Sequence, residues 1–326
     1  MTATDARTRE YDRFGPWIDE VRGGDDVPRL YRDHPIDFAS AQLVLKVPRN
    51  IARRDATPEM DLYDHLLVVE PARLVVLSRG GDGPGARHAA GAAGYGVRGV
   101  AFHQVATVRH TVDLLDGRLT VRTTDGAALT VRYNASARAT VDRLVDHLRV
   151  ATAVAGPTTT GWALLAAARA HPPAPLALGR DDTALAGDFR EASRPRPDLG
   201  LWAWHGRQRV APSRPGVLGA RRLSHALSPM TLHGAVVAGD ADTMEVFGRH
   251  DWLVRGTRPV HSASRLVVPL STPERLRLAP HPAYDGAASV EITAGAATTA
   301  VTVPVGSSAY RLFAAAAAGG RLGAAR

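Results

Sequence analysis

Leu119-Thr120-Val121-Arg122-Thr123-Thr124-Asp125-Gly126-Ala127-Ala128-Leu129-Thr130-Val131-Arg132-Tyr133 reads as two strands joined at Asp125-Gly126. Apolar side chains at alternate positions line one face of a sheet. An Asp-Gly between such runs signals a hairpin, because both central positions of a type I′ turn need positive φ. Just downstream, Ser136 stands as a helix N-cap, and Val141, Leu144, Val145 and Leu148 fall at i, i+3, i+4 and i+7. That stripe has to pack on something. A hairpin running directly into an amphipathic helix is the C-terminal half of a β-rich domain.

Upstream, further strands are expected. Residues 42–47 are β-rich and closed by Pro48; residues 65–69 and 73–78 flank the turn Glu70-Pro71-Ala72; residues 97–101 and 105–112 continue the sheet. Residues 80–96, rich in Gly and Ala, read as a strand-to-strand loop. They lack the following helix and the Lys-Ser/Thr ending that a phosphate-cradling loop requires. The count comes to about seven strands and one helix.

The same order recurs. His65 and Val68-Val69 match His233 and Val236-Val237, and Phe102 and Val108 match Leu270 and Leu276, all 168 positions apart. Asp116-Gly117 and Gly126 match Asp285-Gly286 and Gly295 at 169. A near-constant offset over that span points to two copies of one domain. The second copy reads as strands at 231–238, 244–248, 252–255, 265–270, 274–279, 287–293 and 299–303, then a helix capped by Ser307-Ser308 and bearing Leu312 and Phe313. The expected organisation is an apolar docking segment at 1–35, a domain at 36–152, a Pro-rich, partly helical connector at 153–200, a domain at 201–320 and a tail at 321–326. Within the connector, 162–169 and 182–192 are the helical stretches.

Composition narrows the function. The 326 residues suit two domains with their own cores, and 45% hydrophobic content excludes wholesale disorder. No apolar run approaches the roughly 18 residues of a membrane span, and residues 1–10 lack a secretory apolar segment, so a cytoplasmic location is expected. The absence of cysteine excludes disulfides, thiolate nucleophiles and Cys-ligated metal. Net charge is +8, and nearly all the basic residues are Arg, with Lys46 the only lysine. Such a surplus favours anionic partners.

Two strand-rich copies, each closed by a helix that follows the last hairpin, resemble the pleckstrin-homology-like superfold. The resemblance covers residues 43–150 and 201–318 and rests on element order, without a diagnostic motif. It implies a mainly β (α+β) fold: two domains, each a bent antiparallel sheet or partly open barrel with a C-terminal amphipathic helix. In lipid-binding members, basic residues on the first strand-to-strand loop hold phosphates. The matching positions here are Lys46, Arg49, Arg53 and Arg54 in the first copy, and Arg207, Arg209, Arg214, Arg221 and Arg222 in the second, with Pro48 and Pro212 interrupting both segments.

Chemistry is harder to find. The thirteen histidines show no helical i, i+4 pair, and no nucleophile elbow, Walker motif or zincin signature is present. No catalytic residue, metal or cofactor is expected. The expectation is a non-enzymatic adaptor that holds a protein partner or an anionic membrane surface, the latter placing it at the inner face of the membrane. Sequence-nonspecific nucleic-acid binding through the Arg-rich loops is the second reading, set against an aromatic content of only 6%. An enzyme of unrecognised class is the third.

Overall fold

The computed structural model describes residues 10–80, 94–213, 230–255 and 261–323. The chain divides into two compact units. Met1–Phe102, Leu114–Thr120 and Leu129–Ala151 make the first; His103–Asp113, Val121–Ala128 and Thr152–Arg326 make the second. Among the described residues no helix is long and apolar enough to cross a membrane.

The first unit holds an antiparallel meander of β1 (Asp19–Glu20), β2 (Leu43–Pro48), β3 (Tyr63–Val69), β4 (Arg73–Arg79) and β5 (Tyr95–Ala101). Glu70 N donates to Arg73 O at 2.9 Å and closes the β3–β4 turn. Val44, Leu66, Val68, Val75 and Leu77 are buried in one cluster with Phe14, Val21, Val27 and Tyr31 of the N-terminal segment. That segment is core rather than tail, and the Tyr31 hydroxyl anchors it by donating to Asp64 O at 2.8 Å. The helix α1 (Arg138–Thr152) buries Val141, Leu144, Val145 and Leu148, as its spacing predicts. Its cap differs from expectation. The Asn134 side chain accepts from Ser136 N at 3.0 Å and opens a 3-10 turn, because a short amide reaches the N–H two residues on more easily than Ser136 reaches the helix.

β6 (Val105–Asp113), β7 (Asp116–Thr123) and β8 (Ala128–Asn134) precede that helix. The β7–β8 connection is a three-residue loop, closed by Thr123 N donating to Ala127 O at 3.0 Å. Gly126 has φ of 87°, whereas Asp125 is not among the positive-φ residues, so the turn is not type I′. The extra residue frees Thr124, whose carbonyl accepts Ala296 N at 2.6 Å within the second unit.

In that unit β6 pairs with β15 (Ser262–Pro269), which continues through β13 (Thr243–Gly248) and β12 (Ala235–Gly239) to β9 (Gly200–His205), all antiparallel. β12 and β13 are buried along their whole length because both faces are covered. On one face Val237, Met244 and Val246 share a cluster with Leu164 and Leu165 of α2 (Thr159–Ala170) and with Leu312 and Phe313 of α4 (Ser308–Gly323). On the other, Val236, Ala238 and Phe247 lie against Leu176, Leu178 and Phe189, the last carried by α3 (Thr183–Ser193). Residues 153–200 therefore supply core. The division of the chain departs from a simple 36–152 and 201–320 arrangement because β6 hydrogen-bonds to β15.

Two smaller sheets complete the unit. β16 (Arg275–Pro280), β18 (Ala287–Ala294) and β19 (Ala297–Pro304) form a meander; β14 (Leu253–Arg255), β11 (Met230–Leu232), β10 (Gln208–Pro212) and β17 (Tyr284–Asp285) form the other. The stretch read as one strand at 231–238 is broken at His233-Gly234, where His233 N donates to Trp252 O at 2.9 Å.

The element order recurs along the chain: a four-strand meander (β2 to β5; β9, β12, β13 and β15), three strands (β6 to β8; β16, β18 and β19) and a helix (α1; α4). Details recur too. Asp240 N donates to Thr243 O at 3.0 Å, as Glu70 N does to Arg73 O. Leu270 N donates to Asp242 O at 2.7 Å, as Phe102 N does to Ala72 O at 3.0 Å. Val141, Leu144, Val145 and Leu148 correspond to the buried Ala309, Leu312, Phe313 and Ala316. The offset is 168 at Phe102 and along the helices but 170 at Glu70, which places Ala235, not His233, where His65 stands.

Candidate functional site

Of the basic residues expected on the first strand-to-strand loop, Lys46, Arg49 and Arg53 are engaged within the protein. Lys46 is 8% exposed, directs Nζ to Asp26 O at 3.4 Å and lies 5.5 Å from the centre of the Tyr63 ring. Arg49 Nε is 3.9 Å from Asp64 Oδ1. Arg53 donates to Tyr11 O and to Phe14 O, and its guanidinium stacks 4.2 Å over the Tyr11 ring. Arg54 is the exposed member, its side chain 87% accessible and 3.7 Å from Asp55. This loop grips the N-terminal segment, a role hidden from local sequence because Tyr11 and Phe14 lie some forty positions upstream. In the second copy, Arg209 is exposed on β10 opposite Thr231. Arg214, Arg221 and Arg222 lie outside the described residues.

Arg207 belongs to a different setting. Where β9 ends, β19 turns into α4 and α2 runs out, the second unit opens a cleft of about 670 Å³. His171, Trp204, His205, Arg207, Ser307, Ser308 and Arg311 line it with prolines 172, 173 and 304, and among the described residues no acidic one does. The start of α4 is fixed on both sides. Ser308 Oγ donates to Trp204 O at 2.5 Å and accepts Trp204 N at 3.0 Å; Ser307 Oγ accepts Tyr310 N at 3.0 Å. Gly306, at φ of 79°, makes the turn, and its carbonyl accepts Arg311 Nη1 at 2.7 Å. Trp204 Nε1 donates to Ala174 O at 3.0 Å and holds the proline segment that forms one wall.

His205 and Arg207 also face inward, to a buried polar cluster. His205 is 4% exposed; Nδ1 sits 3.2 Å from Gly206 O, and Nε2 has no hydrogen-bond partner. Burial pulls its pKa down to about 4, only partly opposed by the backbone contact. Arg207 N donates to Asp182 Oδ2 at 3.1 Å, while its Nε and Nη2 have no hydrogen-bond acceptor. Asp182 Oδ1 is 3.9 Å from Arg207 Nη2 and 4.0 Å from Arg249 Nη2, beyond hydrogen-bond length from either. His233 is fully buried with neither ring nitrogen partnered; burial, with Arg207 and Arg249 beside it, lowers its pKa to about 4.

Sequence reasoning found Arg207 through its copy-two position and missed Arg311, His171 and His205. The only available signal was a Ser-Ser cap followed by Arg311, because three distant segments meet here. No protein-family model matches the chain, and no curated protein or solved structure matches it.

Proposed function

We propose that the chain is a non-enzymatic adaptor of two pleckstrin-homology-like copies, in which the second copy binds and the first is structural. The recurring order of four strands, three strands and a helix supports the architecture. The division of labour rests on where the cations stand: Arg207 and Arg311, though held by Asp181, Asp182 and Gly306 O, line an open cleft, whereas Arg49 and Arg53 meet Asp64 and the N-terminal segment. Fold alone assigns no activity, so the cleft carries the reading.

The observation that supports a partner segment is the concave cleft between the end of β19 and the start of α4, lined by no acid among the described residues. Arg207 is recessed, its side chain 15% exposed, and a flat bilayer does not reach it. An extended acidic segment of another protein does: its backbone lies along the cleft and a carboxylate or phosphate enters it. Desolvated Arg contacts of this kind give both affinity and register.

Calorimetric titration of the full chain with a hexaglutamate peptide tests the reading. Saturable binding is expected, weakened about tenfold or more by Arg311→Glu and unchanged by Arg54→Glu. Binding that follows Arg54 and ignores Arg311 overturns it. So does sedimentation with phosphatidylserine vesicles at physiological salt that Arg311→Glu leaves intact.

A further inference from the structure

We infer that molecules of this chain join one to the next, the open edge of β16 on one pairing with the open edge of β5 on another. The pairing of β6 with β15 is the template. In the recurring element order β6 holds the place of β16, and β15 that of β5. The chain therefore carries each kind of edge twice and joins only one pair of them. Among the described residues β5 pairs with β4 alone and β16 with β18 alone. The inference rests on this recurrence and not on the cleft.

Exposure and backbone direction agree with it. Arg265, Leu266 and Val267 of β15 are buried where β6 lies beside them. The residues 168 positions earlier, Val97, Arg98 and Gly99, are exposed, Val97 at 47%. Gly80 N donates to Gly94 O and Phe102 N to Ala72 O, so the even-numbered residues of β5 bond to β4. The N–H and C=O of Tyr95, Val97 and Gly99 point away from the sheet. His281 N donates to Ala287 O, which likewise leaves Leu276 and Leu278 of β16 directed outward. Carried over from Val267 opposite Val108 and Arg265 opposite His110, the antiparallel register sets Gly99 opposite Leu276 and Val97 opposite Leu278. Outward groups then meet outward groups, as strand addition to an edge requires.

The same register brings Arg98 opposite Arg277, and like charges facing each other weaken a strand pair. The association is accordingly weak and dependent on concentration. Because two different edges meet, the contact is heterologous and repeats from molecule to molecule.

Sedimentation velocity of the full chain from micromolar to near-millimolar concentration tests the inference, and the mean mass is expected to rise with concentration. Val97→Pro and Leu278→Pro each remove one outward N–H and spare the ladders to β4 and β18, so each alone is expected to sediment as a single chain. Mixed in equal amounts, they are expected to form dimers and nothing larger, since one keeps its β16 edge and the other its β5 edge. Arg277→Glu, placed opposite Arg98, is expected to tighten association by about threefold or more. Thermal unfolding of each variant is run in parallel; the wild-type chain and Arg277→Glu keep the test valid if a proline variant fails to fold. A wild-type mass of one chain at every concentration overturns the inference. So does association that persists in folded Val97→Pro or Leu278→Pro alone, which marks a contact between like edges or elsewhere, and so does a mixture of the two folded variants that stays monomeric.

Discussion

Arg265 Nε donates to Glu245 Oε2 at 2.7 Å, with the two side chains 9% and 0% exposed. They sit on neighbouring strands, β15 and β13, and Arg196 takes the other carboxylate oxygen from the segment that follows α3. Two guanidiniums share one buried carboxylate as a single electrostatic unit. Such a unit stabilises little relative to apolar residues of the same shape, but removing one member strands the rest. Glu245→Ala is expected to cost about 3–5 kcal/mol in equilibrium urea unfolding. A loss under 1 kcal/mol would mean that the arginines find other partners.

Acid should destabilise the protein in two stages. His205 and His233 have folded pKa values near 4, below the unfolded value of 6.5, so the unfolded chain binds protons first. Their contribution is intact above pH 6.5 and is lost as pH falls towards 4. Burial would raise the Glu245 pKa, but Arg265 and Arg196 outweigh it and hold it below 4.5, so its contribution goes as pH falls further still. Melting temperature measured from pH 8 to 3 should fall from about 6.5 downward, and His205→Gln should flatten the upper part of that decline. A wild-type curve level between pH 7 and 5 would contradict the neutral, buried histidines.

Gly161 lies in the first turn of α2, where replacing glycine by alanine ordinarily stabilises a helix by about 1 kcal/mol. Here a Cβ would come 2.3 Å from Leu270 O, a backbone atom that cannot step aside. Gly161→Ala should therefore destabilise by about 1–3 kcal/mol in chemical denaturation, the opposite sign to its propensity. Stabilisation would show that α2 does not press on Leu270.

Arg53 and Arg54 are adjacent and chemically identical, yet only Arg53 reaches Tyr11 and Phe14. Arg53→Ala should loosen the N-terminal segment, costing about 1–3 kcal/mol and speeding proteolysis near residues 10–20. Arg54→Ala should leave both unchanged. Equal sensitivity of the two variants would remove the assigned anchor.

What could be read from the sequence was local. The alternation in β7 and β8, the stripe in α1 and the Glu70-Pro71-Ala72 turn each sit within a few residues, where periodicity and turn chemistry act. Phe102 and Leu270, matched at an offset of 168, each donate the backbone N–H to a turn carbonyl, Ala72 O and Asp242 O. Partner choice was not legible. Nothing near Arg53 says that it meets Tyr11, and nothing near Val108 says that it lies opposite Val267. The cleft escaped for the same reason: Arg311, His171 and His205 acquire a common role only when α4, α2 and β9 converge.

The pairing of β6 with β15 also has a consequence in time. Some 150 residues separate the two strands, and at roughly 5–20 residues per second the ribosome delivers the second about 8–30 seconds after the first. β7 covers one edge of β6 soon after synthesis, and for that interval the other edge has no partner. β6 is suited to the wait: Arg109, His110 and Asp113 place charge or a polar ring along it, which discourages capture by a neighbouring nascent chain. The late arrival, β15, carries the apolar run Leu266, Val267 and Val268, and when it appears its partner is already waiting.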